Sequence, residues 1–392
     1  MLREMNRNVW LLFVCQALSN AASVSQIAMT ALIGGTLAPD KLLATLPLAL
    51  QMLANMISAI PAGFVFARYG RRAGFLMGAG GLFVGSLVSA LALWRGSFVL
   101  FCLGSMGAGF AFGIAQQYRF AAQELVSPAQ RPRAIALVMA GGVLAAILGP
   151  ELVKRSKDLV DPVLFLGTYL SIAVLPLLIA LLLSAAALAP AVRHTVQPAP
   201  IRHILARPDF IVAVIAGLVA YGSMNLVMAT TPLEMMLCGF SVGDSTDVIR
   251  AHAIAMYAPG FVTGRLIQRF GAHRIILAGG ALLVAAAATA ISGLAYGHFL
   301  GALMLLGLGW NFMFVGATTL LGQAHEPAER VRAQAMNEVI VFGTVTLTSL
   351  LSGMMQHLVG WTALNLTVMP PVVVALGLVL WHRSLRARVV PA

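Results

Sequence analysis

The feature that most constrains this chain is a repeating one. Apolar stretches of roughly twenty residues or more, parted by short polar breaks, run from one end to the other. They fall at 8–34, 42–67, 73–94, 97–118, 132–150, 162–189, 209–234, 248–268, 275–295, 299–323, 333–357 and 362–382. A helix that crosses the hydrocarbon core of a bilayer needs about 20 apolar residues. Each stretch is therefore read as a span, and the chain as an all-α membrane protein of twelve transmembrane helices. Bulk composition agrees. Hydrophobic residues make up 60% and charged residues 10%, against about 45–50% and about 25% in soluble domains. Even a large soluble domain buries only about 75% of its surface, too little to hide this much apolar area. A soluble enzyme and a disordered chain are excluded. Arg3 and Arg7 precede a first stretch too long for a signal-peptide core, so no cleaved leader is expected.

The formal charge is +12, which in a soluble chain would point to nucleic acid. Here most basic residues sit in short loops between spans, so the excess reads as membrane topology, with the lipid bilayer as partner and no nucleic acid. With the N-terminus placed inside, the inner segments carry 19 of the 25 Lys and Arg, including Arg68, Arg71, Arg72, Arg119, Arg265, Arg269 and Arg274. The outer segments carry Lys41, Arg95, Lys154, Arg155, Lys157 and Arg250. That bias and the even span count place both termini in the cytoplasm. Cys15, Cys102 and Cys238 lie far apart and show no disulfide framework.

The longest polar inner segment carries Arg193, His194, Pro198, Pro200, Arg202, His203 and Arg207. It divides the spans six and six. The expected organisation is a six-helix bundle over 1–190, a cytoplasmic linker over 191–208 and a second six-helix bundle over 209–392. An internal repeat supports the division. Gly63, Arg68, Tyr69 and Gly70 follow the second span; Gly264, Arg269, Phe270 and Gly271 follow the eighth, at a constant offset of 201. Two parallel six-helix halves mark one transporter architecture.

The loop from Gly63 to Arg72, its echo in the second half, and the Gly149-Pro150 pair ending the fifth span resemble the signature of the major facilitator superfamily. The resemblance covers the whole chain. It implies a secondary transporter, not an enzyme, working by alternating access, with cargo held between the halves near the midplane and usually as a monomer. One departure is plain. The family usually places an acidic residue just before the loop arginine, where this chain has Ala67 and, in the repeat, Gln268. The charge latch of that loop is not expected in its usual form, although the loop arginines remain suited to helix C-terminal carbonyls.

Polar and soft side chains inside spans are costly and usually face a cavity or a partner helix. The most distinctive are Met224 and Met228 in the seventh span and His252 and Met256 in the eighth. Residues four apart share a helix face, and thioether and imidazole both suit copper. Counted from Phe210, Met224 and Met228 lie roughly 21 and 27 Å up the helix at about 1.5 Å per residue. Counted from Phe270, Met256 and His252 reach the same levels. Two readings fit these pairs: a soft-metal site, or core methionines with a histidine that serves packing or protons.

A methionine pair in helix 7 followed by His-x-x-x-Met in helix 8 resembles the CcoA-type copper importers, a branch of the same superfamily. That resemblance implies copper as the transported substrate, with no separate cofactor, bound by Met224, Met228, His252 and Met256. The ion would be imported across the bacterial cytoplasmic (inner) membrane to supply assembly of a cbb3-type cytochrome c oxidase. Riboflavin transporters are close relatives in that branch, so import of riboflavin or another small organic solute is the alternative.

Met235, Met236 and Cys238 at the outer end of the seventh span are read as an entrance relay for the ion or as a cap against lipid. Glu338 is the acid most clearly inside a span; it is a candidate for proton coupling or a partner of Arg330 or Arg332. The first half is different. The offset of 201 sets Gln51 and Asn55 where the second half has His252 and Met256. With Asn20, Gln26, Gln116 and Gln117, these amides are read as lining for an organic ligand or as links between helices. Trp310 and Asn311 are read as cavity residues of the tenth span. No Walker loop, HExxH or serine elbow is present, so neither ATP-driven transport nor hydrolysis is indicated.

Overall fold

The structure, a computed structural model, describes residues 5–40, 43, 46–188 and 201–389. Among them every regular element is helical. Nine helical stretches of the described residues are long and apolar enough to cross a membrane. The chain divides into two compact units, Met1–Pro128 with Val138–Thr195, and Ala129–Leu137 with Val196–Ala392. Residues 191–200 of the expected linker lie outside the described residues; the remainder contains a short helix, α7 (Ile201–Leu205).

The first unit is built from α1 (Arg7–Leu37), α2 (Leu46–Arg95), α3 (Phe98–Ala115), α4 (Tyr118–Glu124), most of α5 (Arg131–Ser156), and α6 (Leu166–Ala185). At 50 residues α2 is far longer than one span requires. It breaks at Gly70, whose φ of 84° and ψ of 172° suit a residue without Cβ. Its two arms correspond to the stretches at 42–67 and 73–94. The second arm closes on α3 through glycine. A Cβ on Gly85 would sit 2.8 Å from the Gly104 carbonyl oxygen. Small residues let membrane helices approach until their backbones touch.

The second unit holds α8 (Pro208–Leu237), α9 (Val242–Tyr257), α10 (Gly260–Phe270), α11 (Ala272–Ile291), α12 (Tyr296–Leu321) and α13 (Arg330–Val389). The 60-residue α13 breaks at Gly360, with φ 75° and ψ 176°. The repeat found in the sequence is also a repeat of conformation. Gly271 has φ 84° and ψ 152°, close to Gly70. The Arg68 guanidinium lies over the Tyr69 ring at 5.5 Å, and that of Arg269 over Phe270 at 5.3 Å.

The fourth and eighth stretches differ from their expected form, and the fifth runs on past 150 to Ser156. The fourth does not end at 118, because helix resumes after a brief interruption at Gln116–Gln117 and runs to Glu124. Backbone bonding survives the interruption. Gln116 N–H donates to Phe112 O, and Ala121 N–H donates to Gln117 O. Arg119, expected in an inner loop, is consequently buried at 1% exposure. The eighth stretch is divided between α9 and α10 at Ala258–Pro259, since proline supplies no backbone donor.

The loop arginines of the first unit find other partners in place of the acid missing at 67. Arg71 Nη2 lies 2.6 Å from Glu124 Oε1, and its Nε lies 3.3 Å from Oε2. Arg72 Nη2 donates at 2.5 Å to the carbonyl of Ala186, the residue that caps the C-terminus of α6. A cation there meets the negative end of the helix dipole.

Candidate transport site

Within the second unit α9 lies along α12 much more than along α8, and three contacts fix the crossing. His252 Nδ1 is 2.7 Å from the Leu303 carbonyl oxygen. A carbonyl only accepts, so Nδ1 carries the hydrogen and, in the neutral ring, Nε2 holds a lone pair. Nε2 has no partner among the described residues, and His252 is fully buried. One turn along α12, Gly307 lies against α9. A Cβ there would come 2.7 Å from the His252 carbonyl oxygen and 2.9 Å from Met256 N. Next, Asn311 Nδ2 donates to the Met256 carbonyl at 2.7 Å, and Asn311 Oδ1 accepts from Thr263 Oγ1 at 2.6 Å. Thr263 is also 2.8 Å from Pro259 O. Asn311, expected in a cavity wall, is spent on bridging the break between α9 and α10.

Trp310 is 1% exposed and sits in an aromatic cluster. Its ring is stacked on Phe314 at 5.1 Å and meets Tyr221 and Tyr257 edge-on at 5.4 and 5.8 Å. Its Nε1 has no partner among the described residues. Stacked and edge-on contacts of this kind are how aromatic groups fill a core.

The four soft donors lie in α8 and α9. Met224, His252 and Met256 are buried, and Met228 is half-buried. His252 and Met256 are anchored on the α12 side by the contacts above, while α8 packs chiefly against α13 and α12. Among the described residues no group of three or more His, Cys, Asp and Glu is placed to hold a metal. At the end of α8, Met235 is buried and Met236 is 57% exposed. Cys238 Sγ lies 3.9 Å from Glu234 Oε1, and Gln356 Nε2 donates to the other oxygen of Glu234. Glu338 is buried at 2% exposure and accepts from Asn337 Nδ2 at 3.0 Å.

In the first unit the six amides behave differently from one another. Gln16 Nε2 donates to Asn20 Oδ1 at 2.8 Å, and Gln116 Oε1 lies 3.4 Å from Arg119 Nη1. By contrast, Gln26 Nε2, Gln51 Oε1 and both amide atoms of Asn55 have no partner among the described residues. Arg119, also 4.8 Å over the Phe120 ring, was not singled out from sequence. The signal was the apolar run that continues past it as Phe120-Ala-Ala.

The family model of the Major Facilitator Superfamily matches residues 9–256 and 213–391. The chain belongs to the major facilitator superfamily. As a member of this superfamily it is a transporter and not an enzyme. The riboflavin transporter RfnT of Brucella anthropi is 40% identical over 378 residues, covering 95% of this chain and 94% of its own. The MFS-type transporter YddS of Bacillus subtilis is 28% identical over 399 residues, covering 95% and 90%. Among solved structures, the human organic anion transporter MFSD10 aligns with a TM-score of 0.77 at 15% identity, over 95% of this chain and 99% of that one. The transporter FucP aligns with a TM-score of 0.74 at 16% identity, over 95% and 96%. At such identities the two structures speak for the fold alone. None of these relatives supports copper as cargo.

Proposed function

We propose that this superfamily member imports riboflavin, or a flavin close to it, across a bacterial cytoplasmic membrane by alternating access. The observation that carries this reading is the 40% identity with a riboflavin transporter along nearly the full length of both chains. The buried amides of the first unit support it, because they offer hydrogen bonds that a polar organic solute can take and a bare metal ion does not need. The reading includes twelve spans with both termini in the cytoplasm, two six-helix halves joined over 191–208, action as a monomer, and Glu338 as the carboxylate through which proton coupling would run.

The test is growth of a riboflavin auxotroph that lacks its own uptake system, with labelled riboflavin measured in the same cells. Growth on micromolar riboflavin only when the chain is expressed supports the reading. Absence of uptake by a chain that reaches the membrane overturns it.

Copper import stays as a second reading on one observation, the lone pair of His252 Nε2, which has no partner among the described residues. An imidazole whose other nitrogen is fixed by a carbonyl is the usual state of a metal-ligating histidine. In this reading Met224, Met228 and Met256 complete the site and Met235, Met236 and Cys238 feed it. Copper accumulation scored in the same strain separates the two, with His252→Ala as the discriminating variant.

A further inference from the structure

A short edge of unpartnered amide atoms lies on one face of α2. Gln51 Oε1 and both Oδ1 and Nδ2 of Asn55 have no hydrogen-bond partner among the described residues, and each residue is 2% exposed. Native interiors leave few such atoms, and each one calls for a partner. Residues four apart on a helix are neighbours, with Cβ atoms about 5–6 Å apart, so Gln51 and Asn55 stand on the same face of α2.

The surroundings explain why the fold does not satisfy them itself. The Ser58 hydroxyl is already engaged, since it donates to the Asn55 backbone carbonyl at 2.6 Å. Two glycines of α3 face this stretch. A Cβ on Gly113 would fall 2.7 Å from Asn55 Oδ1, and one on Gly109 would fall 1.9 Å from the Gln51 carbonyl oxygen. The glycines let α3 close on α2 and hold the amide in place, while offering no side chain to bond it.

A carboxamide carries a donor and an acceptor side by side. A single ligand group that satisfies both is a ring N–H next to a ring carbonyl. We infer that Asn55 reads the cyclic imide edge of a planar heteroaromatic cargo: Nδ2–H donates to a ring carbonyl, Oδ1 accepts from the adjacent ring N–H, and Gln51 meets the same edge one turn away. The inference rests on the flavin reading, because the pyrimidinedione ring of a flavin carries this edge.

The test is competition for uptake of labelled riboflavin in cells expressing the chain. The competitors are unlabelled riboflavin, N3-methylriboflavin, which blocks the imide edge, and lumiflavin, which keeps the edge and lacks the ribityl chain. N3-methylriboflavin is expected to compete about tenfold more weakly or worse, as loss of a buried hydrogen-bonded pair dictates, while lumiflavin still competes. In Asn55→Ala, compared at equal membrane level, the affinity for riboflavin falls by a similar factor and the two flavins become equal. Equal competition by N3-methylriboflavin in the native chain overturns the inference and leaves the flavin reading standing. So does discrimination that survives in Asn55→Ala. No riboflavin uptake by the native chain overturns the flavin reading and this inference together. Where Asn55→Ala fails to reach the membrane, the native-chain competition alone decides.

Discussion

Arg71 and Glu124, 53 residues apart, form a nearly closed ion pair, with Nη2 2.6 Å from Oε1 and side chains only 6% and 10% exposed. The pair joins the loop at the break of α2 to the last turn of α4, and the Arg71 guanidinium also lies 4.8 Å over the Phe66 ring. Removing one member of a buried pair strands the other charge, at a cost of about 3–5 kcal/mol. Glu124→Gln should therefore lower the melting temperature of the detergent-solubilised protein markedly. The exchange Arg71→Glu with Glu124→Arg should recover part of the loss. A Glu124→Gln protein that melts like the native one would show that the pair is dispensable.

Gly307 should tolerate no side chain. Its Cβ would meet backbone atoms of α9, the His252 carbonyl oxygen at 2.7 Å and Met256 N at 2.9 Å, and backbone cannot yield as a side chain does. Gly307→Ala is expected to push α9 off α12, cutting both thermal stability and solute uptake. Gly377→Ala is the matched control, since nothing lies within 4 Å of that position. There, alanine should be neutral or stabilising by up to about 1 kcal/mol.

Asn311 holds the break between α9 and α10 by bonding Met256 O and Thr263 Oγ1. Asn311→Ala leaves the Met256 carbonyl without that donor, and a buried polar group left unmade costs about 1–3 kcal/mol. Thr263→Val should cost less, because the Asn311 amide keeps its bond to Met256. Thermal unfolding of the two variants side by side checks the order; a larger loss in Thr263→Val would reverse the roles.

His325, in the loop after α12, has its pKa held below 6.5 chiefly by burial, against the raising effect of a hydrogen bond with the Glu326 carbonyl. The fold thus favours the neutral ring. The unfolded chain binds the proton more readily, so this contribution to stability is complete above about pH 6.5. It is lost as pH falls from there through the folded pKa. His325→Gln should flatten that part of the stability profile between pH 7 and 5. An unchanged slope in the variant would remove His325 from the account.

The sequence reached some of these relationships and not others. The offset of 201 predicted corresponding loops, and Gly70 and Gly271 share the same left-handed conformation. A conformation that demands glycine leaves a readable mark at a fixed position. The cation at the end of α6 was also legible in kind, because arginine beside a helix C-terminus is favoured wherever the chain provides one. Arg119 was misplaced because a linear pattern ends a span at its first polar residues. Gln116-Gln117-Tyr118 looks like an exit from the membrane, yet the backbone bonds across it and the helix goes on.

By itself the sequence determined that the chain lives in a bilayer as helices, because only helices satisfy their own backbone across apolar runs of this length. It also determined that the two halves repeat each other, and that soft donors and amides stand at corresponding positions of the two halves. Which of those polar groups are spent on bonds within the fold was decided only by the tertiary structure. Asn311 proved to be a structural bridge, His252 to have one nitrogen committed to Leu303, and Asn55 to have neither amide atom engaged among the described residues. The physical reason is that hydrogen-bond partners come from residues distant in sequence, such as Met256 for Asn311, and helix crossing sets those distances. Residue type gives a group's capacity to bond; only packing says whether that capacity has been used.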